Sequence, residues 1–179
     1  FEGVHAHFFA DCREGYESRI PESAKLQNFQ KVLDMIHDAK PNGAFLDIGC
    51  ATGVFLDMAQ KRGYDVVGID VSSFACEYAT EHFQIPALCG KLEDLHIADK
   101  SFDIVTMWDA LEHVPDPQRI LQEVHRILRD GGVLFILTIN DSSLMGWIAE
   151  GIYLSSFKKM SYFTKLIHPV HHNLVQKWR

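Results

Sequence analysis

Two acids in this chain stand where they could hold a ligand. Residues 45–56 read FLDIGCATGVFL, an apolar run that ends in Asp47 and opens into a bend. The small residues Gly49, Ala51 and Gly53 would let a ligand lie against bare backbone, which a larger side chain would prevent. Seventeen positions after Gly53 a second apolar run, VVGIDVS, ends in Asp70. A carboxylate there can accept hydrogen bonds from both hydroxyls of a ribose, and it would repel a phosphate. The other task open to Asp70 is capping the next helix, which Ser72 or Ser73 could perform equally well. A dinucleotide-binding fingerprint requires GxGxxG; from Gly49 the chain reads GCATGV and misses the third and sixth positions, which argues against nicotinamide or flavin.

A third cluster lies at 107–113, MWDALEH. Met107 reads as core or cofactor wall, because a thioether has no useful acid–base chemistry. Trp108 and Asp109 could shape a substrate pocket. His113 has the intrinsic pKa to take a proton from a hydroxyl near neutrality, although its turn could equally be structural. The histidines of HPVHH, 168–172, have no carboxylate nearby in sequence, so no metal site is expected. Cys50 lies in the glycine bend and is expected to pack as a small residue rather than to attack anything.

These residues need a scaffold, and the apolar periodicity supplies one. From Pro21 the residues Leu26, Phe29, Val32, Leu33 and Ile36 recur at helical spacing until the KPNG stretch ending at Gly43. A strand is expected at 44–48, a helix at 54–62, a strand at 65–69, a helix at 74–83, and strands at 86–89 and 102–107. Asp116 caps a further helix with Pro117 at its first position; Ile120, Leu121, Val124, Ile127 and Leu128 form its stripe, and Gly131–Gly132 ends it. A fifth strand follows at 133–139. Strands alternating with helices imply a mostly parallel sheet covered on both faces, a doubly wound, Rossmann-like α/β fold. The acids and the bend then fall at the carboxyl edge of the sheet, where ligands bind.

The chain has 179 residues, enough for one buried domain. It divides into a lead-in at 1–28, a cofactor-binding core at 29–139 and a partial substrate or lid region at 140–179, in which helix but no sixth strand is expected. At 47% apolar and 23% charged it has globular composition, without the apolar run of a membrane span. A net charge of −7 disfavours DNA as a partner, although five Lys or Arg and no acid fall between Ile152 and Arg179. Its four scattered cysteines include no CxxC pair, and no secretory leader is recognisable, so a reducing cytoplasm is expected. The chain begins at Phe1 rather than Met.

The combination LDIGCATG, VVGIDVS, SFDIVTMWDALEHVPDP and ILRDGGVLFI resembles the class I methyltransferases that use S-adenosylmethionine (SAM), and among them the group that includes the ubiquinone-pathway O-methyltransferases. The resemblance covers 29–139. It implies that Asp47 and the backbone of Gly49, Cys50, Ala51 and Gly53 face the methionine part of SAM. Asp70 then holds the ribose, and the adenine lies between Val71 and Leu92 with Glu93 at its edge. Many relatives carry an acid where this chain has Lys91. The family sheet usually has seven strands, so the last strands are expected to be missing and the chain to be truncated. Where relatives acting on amino groups carry an Asn-Pro-Pro-Tyr type motif, this chain has Met-Trp-Asp-Ala, which points away from DNA-adenine methylation. The resemblance thus implies methyl transfer to a small-molecule acceptor, on oxygen in the first instance, in a chain that could form homodimers. A SAM-binding regulator without turnover, and an enzyme acting on protein or RNA, are the alternatives.

Overall fold

The computed structural model describes residues 23–138 and the strand His172–Lys177. The lead-in before Ser23, most of the aromatic and basic region after Thr138, and all of the HPVHH motif except His172 lie outside the described residues. Helix α1 (Ser23–Ala39) delivers the chain to β1 (Ala44–Ile48), and α2 (Val54–Lys61), β2 (Asp65–Asp70), α3 (Ser73–Phe83) and β3 (Ala87–Cys89) follow. After a short 3-10 turn at Leu92–Asp94 come β4 (Phe102–Trp108), a second such turn at Leu111–His113, α4 (Pro117–Ile127) and β5 (Leu128–Thr138). The sheet order is β3-β2-β1-β4-β5-β6, where β6 is His172–Lys177.

The first five strands are parallel. Strand β6 pairs antiparallel with β5, so the expectation of no sixth strand is corrected: His172–Lys177 carries no strong apolar alternation, and its partner rather than its own pattern makes it a strand.

Two apolar layers sandwich the sheet. Phe29, Val32, Leu33 and Ile36 of α1 pack with Phe55 and Leu56 of α2 on Phe45, Ile104 and Phe135. Ile120, Val124 and Ile127 of α4 cover Leu46, Val105 and Leu134 on the other face. Full burial of such a side chain stabilises by about 1.5–3 kcal/mol. Leu26, expected in the α1 stripe, is exposed.

The chain also departs from expectation after α4. The helix ends at Ile127, before the glycine pair, and Leu128 already pairs with Phe102. The register then jumps to Ile104 opposite Val133. Gly131, at φ 73, supplies the left-handed backbone this bulge needs, so the two glycines shape the start of β5 rather than stopping the helix.

In this order the chain reverses direction across the sheet between β1 and β4. A parallel sheet with such a reversal is expected to take a ligand in a crevice at the carboxyl ends of these two strands, between the loops after β1, β2 and β4.

Candidate cofactor-binding site

The bend after β1 is held by its neighbour strand. The N–H groups of Gly49 and Cys50 both donate to the Ile69 carbonyl, at 2.8 and 3.0 Å, and Gly53 donates to the Cys50 carbonyl at 3.0 Å. The Ala51 N–H donates to one oxygen of Asp70 at 2.9 Å. Gly49, Ala51 and Gly53 all have positive φ, at 79, 49 and 81°. A Cβ on Gly53 would lie 2.9 Å from that of Ala79 on α3, so glycine is required there by the fold itself.

Most of the bend's amides are thus spent within the protein. What the bend leaves to a ligand is bare Cα surface beside the Asp70 carboxylate, a lining suited to a cation. The first turn of α2 beyond it has no side-chain cap, and such an end suits a carboxylate.

Asp70, 8% exposed, uses its second oxygen to accept from the Ser72 N–H at 2.9 Å. Ser72 in turn caps α3 by accepting from the Ala75 N–H, so Asp70 is not the helix cap. Burial raises the Asp70 pKa above the ordinary carboxylate value, while the N–H groups of Ser72, Ala51 and Val71 act in the opposite direction. An ionised carboxylate has about four lone-pair positions, so the two backbone donors leave room for a pair of hydroxyls.

Asp47, 2% exposed, accepts from Thr106 Oγ1 at 2.6 Å. The two residues are direct cross-strand partners in the β1/β4 register, and Gly68 stands opposite Asp47 on β2. Burial pushes the Asp47 pKa up to about 7; the Thr106 hydroxyl lowers it and the Asp70 charge raises it. The other Asp47 oxygen takes no hydrogen bond from the described residues, yet it is not among the polar atoms sealed from solvent. An acceptor in that condition fits a cationic group. Two carboxylates on one crevice floor would also repel a pyrophosphate.

Around this floor the remaining sequence candidates divide. Val71 is half exposed beside Asp70, and the Leu92 side chain is buried in the α4-side core, leaving Glu93 half-buried behind it. Met107 is wholly buried in the same core layer, on the opposite sheet face from Thr106 and Trp108. Trp108 packs edge-on against Phe29 and Phe55, each with centroids 4.8 Å away, and its indole N–H is buried without a partner. Asp109 takes a left-handed φ of 45° and donates its N–H to Leu137, turning the chain outward. His113 is exposed on the turn beyond, which Glu112 ties to Thr138 of β5 at 3.0 Å. Cys50 is buried, and burial drives its thiol pKa upward, which keeps it un-ionised.

Thr106 is the site residue that sequence reasoning missed. Its signal was a lone hydroxyl in the otherwise apolar stretch IVTMW, a position where a buried polar group must find a partner. Two cysteines also approach the backbone at the tip of β2. Cys76 reaches the Asp70 carbonyl at 3.5 Å and Cys89 the Val71 carbonyl at 3.8 Å.

A separate hollow at the opposite sheet edge is lined by Asp99, Lys100, His125, Arg126 and Asp130. Its charges are paired, Lys100 with Asp130 at 2.7 Å, Arg126 with Asp99 at 2.5 Å, and Arg129, also on the lining, with Asp103 outside it. Among the described residues no cluster of metal-binding side chains occurs, and no helix is long and apolar enough to cross a membrane.

Several known proteins resemble this chain. Residues 46–136 match the family model described as "Methyltransferase domain". A ubiquinone biosynthesis O-methyltransferase of Coxiella burnetii (strain Dugway 5J108-111) is 33% identical over 135 residues, covering 69% of this chain and 57% of its own. A solved S-adenosylmethionine dependent methyltransferase from Mesorhizobium loti superposes with a TM-score of 0.55 at 27% identity, over 62% of this chain and 52% of its own. The PH0226 protein of Pyrococcus horikoshii shares the fold with a TM-score of 0.65 at 22% identity, over 76% of this chain and 71% of its own. The chain spans about half the length of the curated relatives it matches.

Proposed function

The chain belongs to the methyltransferase domain family, and from that premise we propose that it binds SAM in the β1/β4 crevice and transfers the methyl group to an oxygen of a small molecule. The observation that carries this reading is the pairing of two buried carboxylates with a glycine bend whose N–H groups are largely engaged. That lining discriminates for a cation bearing a ribose and against a pyrophosphate.

Each residue has a task in this account. Asp70 receives the ribose hydroxyls, and the open oxygen of Asp47 faces the positive charge of the methionine part. Gly49, Cys50, Ala51 and Gly53 give that part a flat backbone surface, while Val71 covers one face of the adenine and the Leu92–Glu93 backbone meets its edge. Met107 braces the floor from beneath. SAM supplies a methyl group made electrophilic by its sulfonium. Trp108 and Asp109 border the place from which an acceptor would approach.

Holding the acceptor in line with the methyl carbon can supply on the order of 7–11 kcal/mol, so the fold's main contribution is orientation. His113 is the candidate base for a hydroxyl acceptor. A fall in kcat of less than tenfold in His113→Gln would return it to a structural role, since a general base contributes about a hundredfold or more. Oxygen as the acceptor atom rests on relatives named as ubiquinone biosynthesis O-methyltransferases at 33–37% identity.

Incubation with methyl-labelled SAM and a cell extract tests the proposal. Label in the organic extract supports it; label confined to protein or RNA would assign another acceptor class, and cofactor binding without any transfer would assign a regulatory role.

A further inference from the structure

Thr106 has a place in this site that goes beyond packing, and the inference rests on the SAM reading above. The hydroxyl is fully buried in the middle of β4, directly opposite Asp47 in register. It donates to Asp47 at 2.6 Å, shorter than its 3.4 Å approach to the Leu46 carbonyl. On the other side of Asp47 stands Gly68, whose missing side chain leaves space taken by Cys50: a Cβ there would lie 2.6 Å from the Cys50 sulfur. No second described donor reaches the carboxylate, so Thr106 alone fixes its rotation.

We infer that Thr106 is the positioning residue of the cofactor site: it holds one Asp47 oxygen in the sheet and so turns the other toward the crevice, where it meets the cationic end of SAM. The same bond counters desolvation. Asp70 at the tip of β2 and Cys50 in the bend both stand near Asp47, and the Asp70 charge favours its protonated form. The strand β4 contributes only the hydroxyl, which favours the anion. Without that bond a buried acid beside another acid would keep its proton to higher pH and lose its attraction for a cation at neutrality.

Val is the matched substitution, because it keeps the shape and the β-branch while removing the donor. Calorimetric titration of SAM into the full chain from pH 6 to 9 should show Thr106→Val weakened about tenfold or more at neutral pH, the scale of a lost hydrogen bond to a charged group. Its affinity should recover at higher pH than in the wild type, and Thr106→Ser should restore both affinity and profile. Side-chain carboxyl NMR of the ligand-free protein supplies a readout without cofactor, in which Asp47 should titrate higher in Thr106→Val. Should Val prevent folding, Thr106→Ala is read by the same two measurements.

Wild-type affinity, pH profile and Asp47 titration in the folded Val or Ala variant would overturn the positioning role while leaving the cofactor reading intact. Failure of the wild-type chain to bind SAM would overturn both.

Discussion

Asp70 accepts a hydrogen bond from the backbone N–H of Ala51 at 2.9 Å, so the acid at the tip of β2 holds in place the bend that follows β1. A single carboxylate therefore shapes the cradle and, in the proposed function, grips the ligand within it. Asp70→Ala should weaken SAM by at least roughly tenfold, given the charge-assisted bonds at stake. Calorimetry against the wild type reads this directly, and unchanged affinity would mean that the ribose lies elsewhere.

The pH dependence follows from Asp47, whose folded-state pKa of about 7 lies above the ordinary 3.8. Because the folded protein binds this proton more tightly than the unfolded chain does, the group's stabilising contribution is fully present below about pH 3.8. It is lost as pH rises through about 7. A cation in the crevice prefers the ionised form, so SAM affinity should rise between pH 6 and 8 with release of a proton. Calorimetry in buffers of different ionisation enthalpy measures the release, and Asp47→Asn should abolish it.

Gly53 combines φ 81° with a 2.9 Å approach of any Cβ to Ala79. Gly53→Ala should lower stability by about 1–3 kcal/mol, from left-handed strain and displacement of α3. Chemical denaturation gives the value; an undisturbed midpoint would show that the bend has slack.

At the far edge of the sheet Asp103 accepts from the Ala44 N–H at 3.0 Å, pairs with Arg129, and lies 3.5 Å from Lys40. Burial alone would raise its pKa, but the Ala44 and Arg129 hydrogen bonds and the two cations bring it below the ordinary value. Its contribution is accordingly present above about pH 3.8 and lost as pH falls further. Asp103→Ala should destabilise by about 1–3 kcal/mol and leave SAM affinity unaltered, since the crevice is at the other edge. Denaturation and calorimetry on the same variant separate the two effects.

Much of this was legible in the residues. The period of Phe29, Val32, Leu33 and Ile36 gave α1 its buried face, and Asp116 and Pro117 marked the start of α4, because capping and amphipathic spacing are local properties. The two acids could be located because each ends an apolar run. The β5 bulge escaped, since a glycine pair after a helix signals a stop whether the chain then turns away or runs on irregularly into a strand. Strand β6 escaped because its pairing is long-range. Thr106 escaped because its role depends on a residue 59 positions away, a relationship that only the β1/β4 register creates.

A crystal structure of the chain grown with SAM tests the central claim most directly. The account predicts the ribose hydroxyls on Asp70, with the methionine part over the Gly49–Gly53 bend and its positive charge toward Asp47. A crevice that stays closed to SAM, or that takes up a pyrophosphate-bearing nucleotide in its place, would contradict it.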